Sequence, residues 1–205
     1  MKLVQVAGYL GSGKTTLILE LTQAIALTGG KVAILVNDVG EVPVDGKVLS
    51  LSGMTVKDIG GGCVCCQMAG SLMKTLETLG NTQNPDIVIV EPTGIAAPDS
   101  IRDTAKLASR KVNISIGPVI VLFDSTRVEK LINFETISRL VARQVKDADV
   151  VAISKVDACN NGDLARSEAE ANRLNPKARL VRLSARNGDG LETLVKIALE
   201  EMSHV

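Results

Sequence analysis

The stretch that most constrains this chain is GYLGSGKT at residues 8–15, which follows the pattern G-x-x-x-x-G-K-[ST]. The glycines Gly8, Gly11 and Gly13 let backbone N–H groups turn inward around a bound phosphate. Lys14 is placed to reach the β- and γ-phosphates and the Thr15 hydroxyl to hold Mg²⁺, with Ser12 and Thr16 completing the nucleotide-binding set. An apolar run, KLVQVA at 2–7, precedes the loop, and a segment of helical period, 14–28, follows it. The strand–loop–helix context required of such a loop is therefore met, and a helix starting here points its positive end at the anion. A strand feeding such a loop belongs in a parallel sheet flanked by helices.

The rest of the chain repeats that alternation. Continuous apolar runs at 31–36, 87–90, 119–123 and 149–154 read as strands buried on both faces. Shorter strands are expected at 54–59 and 179–183. Helical periods fall at 68–79, 99–110, 135–147, 163–174 and 190–202. The expectation is an α/β protein of the P-loop three-layer type, with a mostly parallel sheet and helices on both faces. No repeat or linker interrupts the 205 residues, so a single domain over 1–205 is expected.

Charge narrows the function. The 23 Lys and Arg balance the 23 Asp and Glu. A chain without surplus cations is poorly suited to nucleic acid or an anionic membrane. With no Trp, one Tyr and two Phe, it also lacks stacking platforms for bases. No apolar run reaches membrane-spanning length, and MKLVQVAGYL runs into the glycine loop without a signal-cleavage site, so a cytoplasmic protein is expected.

Three further segments carry chemistry. IVIVEPTG, at 87–94, ends a buried strand in Glu91, which can hold a Mg²⁺-bound water or orient an attacking one. The N–H of Gly94 can then sense the γ-phosphate. DVVAISKVD, at 149–157, resembles the N-K-x-D base-reading element with Ser154 in the first position, followed by Lys155 and Asp157. A carboxylate at Asp157 accepts from both guanine N1–H and the exocyclic amine, a pair adenine does not offer. The stem of Lys155 can lie along the base. Serine at 154 removes an amide expected to brace the phosphate loop. Ser184 and Ala185, after the strand at 179–183, match the last guanine loop of GTPases, where an alanine N–H meets the guanine carbonyl. Together these favour GTP over ATP.

The fourth segment is GGGCVCC at 60–66. Cys63 and Cys65 can face one side of an extended segment while Cys66 points elsewhere, and a sharp turn would bring all three thiols to one ion. Thiolates take Zn²⁺, Cu(I) or an iron–sulfur cluster. A closed structural zinc site needs four ligands, so three thiols in one loop suggest an open site suited to transfer. Asp38 and Glu41 are the acids nearest in sequence that can assist. Cys159 reads as a packing residue, and His204 is assigned no role.

GYLGSGKT, NDVGEVPVD at 37–45, GGGCVCC and EPTG, followed by SKVD, occur in the order found in the CobW/HypB/UreG family of metallochaperone GTPases. The chain resembles that family over nearly its whole length and is most similar to the CobW-like branch; FDSTR at 123–127 adds to the likeness. The resemblance implies a slow GTPase whose triphosphate state binds a transition metal and docks on a client metalloprotein, hydrolysis releasing the metal. It implies phosphate and Mg²⁺ binding by Lys14 and Thr15, hydrolysis supported by Lys14, Glu91 and Gly94, and Zn²⁺, Co²⁺ or Ni²⁺ on Cys63, Cys65 and Cys66 with help from Asp38 and Glu41. The alternative is a GTPase chaperone that gates corrinoid cofactor loading without carrying metal. Asp38 stands where the branch usually has glutamate, and the branch's C-terminal domain is not expected here. Client recognition would then fall to another chain or to a homodimer formed around nucleotide and metal.

Overall fold

A computed structural model describes residues 1–36, 55–58 and 65–200, without the side chains of 55–58 and 65–69. Seven described strands form one sheet: β1 (Lys2–Gly8), β2 (Val32–Val36), β3 (Thr55–Asp58), β4 (Ile87–Glu91), β5 (Ser115–Asp124), β6 (Val150–Ser154) and β7 (Arg179–Leu183). Their order is β3-β2-β4-β1-β5-β6-β7, and every pairing is parallel. Described helices connect them: α1 (Lys14–Leu27), α2 (Cys65–Thr82), α3 (Pro98–Ala108), α4 (Val128–Asn133), α5 (Glu135–Lys146), α6 (Asn161–Leu174) and α7 (Leu191–Leu199). The α/β three-layer expectation holds.

Alternation along β1 shows how the layers arise. Val4 and Val6 pack with Leu17, Leu21 and Ile25 of α1 and with Leu194 and Ile197 of α7. Leu3 faces the other way, among Leu72, Leu76 and Ile101 of α2 and α3, and Ala7 joins the cluster of Phe123, Val141 and Val145. Two apolar faces on every central strand explain the continuous runs in the sequence.

The elements depart from the sequence reading in three places. β5 begins at Ser115, four residues ahead of the apolar run. Gly117 and Pro118 hide its start: β1 residues Leu3 and Gln5 pair with Ile116 and Val119, so one extra residue bulges from β5 there. A short helix, α4, which the periodicity does not reveal, packs Val128 and Leu131 into the core. Finally, Cys65 and Cys66 open α2, so the extended alternation expected for the cysteine segment does not apply to them. The last described helix ends at Leu199, and residues 201–202 of the expected helix lie outside the described residues.

β1 lies between β4 and β5, where the direction of chain progression across the sheet reverses. In open parallel sheets ligands sit beyond the carboxyl ends of strands at such a point. Gly8, Glu91, Asp124, Ser154 and Leu183 are the carboxyl-terminal residues of β1, β4, β5, β6 and β7.

Candidate nucleotide site

The phosphate loop leaves β1 at Gly8, whose φ is +138°. A Cβ there would stand 2.7 Å from the Leu122 carbonyl oxygen and 2.9 Å from Ser12 Oγ, so only glycine fits. Gly13 caps α1 with no side-chain bond, and the first helical bond runs from Leu17 N to Gly13 O. The N–H groups of Lys14, Thr15 and Thr16 therefore precede the helical ladder and face the loop end, as an anion site requires.

Three successive carbonyls of the loop are held from outside. Arg127 Nη1 donates to Leu10 O at 3.3 Å, Lys155 Nζ to Gly11 O at 2.7 Å and Ser154 Oγ to Ser12 O at 2.9 Å. In trans peptides, fixing the Leu10 and Ser12 carbonyls outward turns the N–H groups of Gly11 and Gly13 the opposite way. Ser154 thus supplies the brace whose loss its substitution for asparagine suggested. Its hydroxyl is buried and short enough to reach the loop.

Asp124 ties this clamp together. It is 2% exposed, accepts from Lys155 Nζ at 2.7 Å and from Thr126 N and Oγ1, and stands 3.6 Å from Arg127 Nε. Lys155 adopts a left-handed backbone, φ 61° and ψ 36°, at a cost of order 1 kcal/mol that its two bonds offset. Asp124 and Arg127 escaped the sequence reading as site residues. The available signal was an acid directly after an apolar run, followed by an arginine.

At the other side of the loop, Thr15 Oγ1 donates to Glu91 at 3.0 Å and 3.3 Å from the two carboxylate oxygens. Glu91 is 8% exposed and Lys14 9%. A hydroxyl beside a carboxylate is an all-oxygen donor set of the kind a hard divalent cation takes. Gly94 follows close by: a Cβ on it would lie 3.0 Å from Leu10 N and 2.7 Å from Leu10 Cδ2. The post-β4 turn therefore rests directly on the phosphate loop.

A cavity of about 250 Å³ opens beside the clamp. Ser12, Gly13 and Thr16 line its loop side, Ser154, Lys155 and Asp157 one wall, and Leu183, Ala185 and Arg186 the other. The Ser184 hydroxyl donates to the Asp157 carboxylate and, with Arg186, holds it below the usual carboxylate range. The acceptor form of Asp157 therefore persists to lower pH than in an ordinary aspartate. Arg186 was missed because it sits in an exposed turn without a spacing signature. A larger cavity of about 570 Å³ is lined by Asp99, Arg102, Asp147 and Asp149, among others. It reaches the amino end of β6, the wrong end of the sheet for a switch-point ligand.

Residues 2–182 match the family described as CobW/HypB/UreG, nucleotide-binding domain. The chain belongs to that family. Among curated relatives, the zinc chaperone YeiR of Escherichia coli (strain K12) is 35% identical over 153 residues, 74% of this chain and 45% of its own. This chain spans about half the length of the curated relatives it matches. Among solved structures, HypB from Helicobacter pylori in complex with nickel superposes with a TM-score of 0.66 at 20% identity, covering 99% of this chain and 91% of that one. Zn(II)-bound YjiA GTPase from E. coli does so with a TM-score of 0.60 at 22% identity, covering 100% and 67%. These likenesses show the fold.

The expected metal ligands are placed less fully. Asp38, Glu41 and Cys63 lie outside the described residues, as do the side chains of Cys65 and Cys66. Among the described residues no group of three His, Cys, Asp or Glu side chains gathers to hold a metal. Cys159 is half-buried with its thiol 3.6 Å from the Val156 carbonyl, consistent with packing. Among the described residues no helix is long and apolar enough to cross a membrane.

Proposed function

We propose that this chain is a guanine-nucleotide-gated metal-delivery protein. Its GTP state would hold a transition metal, zinc foremost, and slow hydrolysis would pass the ion to a client metalloprotein in the cytoplasm. One observation carries the reading: a single phosphate loop has Thr15 against Glu91 on one side and, on the other, a cavity that Asp157 and Ala185 line together with Ser12, Gly13 and Thr16 of the loop.

The residues divide the work by chemistry. The N–H groups of Gly11 and Gly13, those opening α1, and the Lys14 ammonium bind the phosphates. Mg²⁺, which would sit on Thr15 and Glu91, supplies charge neutralisation on the phosphates. Glu91 also stands where a carboxylate can orient a water, and Gly94 lies against the loop where its N–H can meet the γ-phosphate. At the far side Asp157 accepts two donors of guanine, Lys155 covers the base, and Ala185 borders the same cavity. Adenine would leave that carboxylate facing an acceptor.

Metal would be cargo on Cys63, Cys65 and Cys66, with Asp38 and Glu41. Topology supports a coupling between cargo and nucleotide. The chain leaves β2 at Val36, the register partner of Glu91, two residues before Asp38. α2 starts at Cys65, seven residues after β3 ends beside β2. Segments anchored there are suited to respond to a γ-phosphate. Zinc or nickel stands in the descriptions of the relatives above, and no observation favours the corrinoid-loading alternative.

The test is metal content of reduced protein with and without a non-hydrolysable GTP analogue, native chain against the Cys63→Ala/Cys65→Ala/Cys66→Ala variant. Support is Zn²⁺ retained by the native chain, more tightly with the analogue, and lost from the variant. Metal binding indifferent to both nucleotide and cysteines overturns the delivery reading.

A further inference from the structure

Two buried glutamines hold the segment that follows Glu91, and neither belongs to the nucleotide site just described. Gln144, on α5 and 1% exposed, donates through Nε2 to Gly94 O at 3.1 Å and to Ala96 O at 3.0 Å. Gln5, on β1 and also 1% exposed, pairs with the start of α3: with its amide turned to match its neighbours it donates to Pro98 O at 3.1 Å and accepts from Arg102 N at 3.3 Å. The segment is thus pinned at its downstream end by the strand that leads into the phosphate loop. Its middle, a turn closed by Ala96 N to Thr93 O at 2.9 Å, hangs on Gln144.

Gln144 occupies a costly position. Its helical neighbours Val141 and Val145 are apolar and buried in the core. Its own Oε1 is buried and has no donor among the described residues. Packing alone would be served better by an aliphatic side chain there. The amide is explained by what it holds, a backbone turn pressed on Leu10 of the phosphate loop through Gly94. The undonated oxygen also offers an acceptor to any N–H that a shift of this turn brings inward.

We propose that Gln144 is a positioning residue that sets discrimination between triphosphate and diphosphate. It presents the Gly94 turn to the γ-phosphate without touching the nucleotide, and α5 thereby feels whether that phosphate is present. The inference rests on the nucleotide reading above and goes beyond it. A diphosphate lacks the group that Gly94 would meet, so its affinity is independent of Gln144.

The experiment measures GDP and non-hydrolysable GTP-analogue affinity, together with single-turnover hydrolysis, for the native chain, Gln144→Met, Gln144→Asn and Arg143→Ala. Arg143 is the control, an exposed neighbour on the same helix. Gln144→Met is expected to lose about tenfold on the analogue and on the hydrolysis rate while GDP affinity changes less than about twofold. Gln144→Asn, polar but too short to reach both carbonyls, is expected to behave likewise, and Arg143→Ala like the native chain. Equal losses on both nucleotides, or failure of both Gln144 variants to fold, overturns the proposal by making the residue structural, and no loss on either overturns it by making the residue dispensable. A native chain that binds neither nucleotide overturns the nucleotide reading and this inference with it; a native chain that binds both while the Gln144 variants fail to discriminate differently overturns the inference alone.

Discussion

Ser154 Oγ donates to the carbonyl oxygen of Ser12 at 2.9 Å, both groups being buried. A side chain at the end of β6 thereby holds the middle of the phosphate loop across 142 residues of sequence. Ser154→Ala leaves that carbonyl without its donor. The expected loss is about 1 kcal/mol, or about fivefold in nucleotide affinity, read by titration with a fluorescent GDP.

Asp157 is held below the usual carboxylate range chiefly by the Ser184 hydroxyl. The acceptor form persists as pH falls through the ordinary carboxylate region, and guanine affinity persists with it. Ser184→Ala removes the main cause of the depression, so affinity falls at a higher pH than in the native chain. Asp157→Asn abolishes the double acceptor at every pH and costs about 2 kcal/mol, or about thirtyfold, in GTP affinity. Affinity measured across pH for the three proteins checks both statements.

Thr15 and Glu91 are in direct contact at 3.0 Å. Glu91→Gln keeps size and hydrogen bonding but removes the charge that would hold a cation or orient water. Hydrolysis is expected to slow about a hundredfold, while nucleotide affinity without Mg²⁺ changes little. Single-turnover hydrolysis and binding in a chelating buffer separate the two.

Asp147 lies away from this site, and burial first, then the nearby Asp99 charge, pushes its carboxyl above the usual range. An acid with a raised folded-state pKa binds an extra proton on folding, so stability falls as pH rises from the unfolded-state value through the folded one. Asp147→Asn removes that penalty. Its Tm should exceed the native value at neutral pH, with the difference shrinking below the ordinary carboxylate range. Thermal unfolding at both pH values decides it.

Particular residues show what was legible beforehand. GYLGSGKT carries its own geometry, because Gly8 is required by a carbonyl 2.7 Å from its would-be Cβ and the following helix starts at Lys14. The strands at 87–91 and 150–154 were readable because burial on both faces leaves an unbroken apolar run. The clamp was not readable. Arg127 meets Leu10, and Lys155 meets Gly11 and Asp124, only because β5 lies beside β1 and β6 beside β5 in the sheet. Gln144 and Gln5 belong to no motif or spacing pattern, and their partners sit 48 to 50 and 93 to 97 residues away.

The sequence by itself determined the α/β layering, the phosphate loop and the chemical types available to it, because these depend on local periodicity and contiguous motifs. The tertiary structure alone decided which side chains hold that loop, that serine replaces an amide as its brace, and which buried amides grip the turn after Glu91. Those contacts depend on strand order, and in a parallel sheet strand order is set by how crossovers pack rather than by any neighbour in the chain.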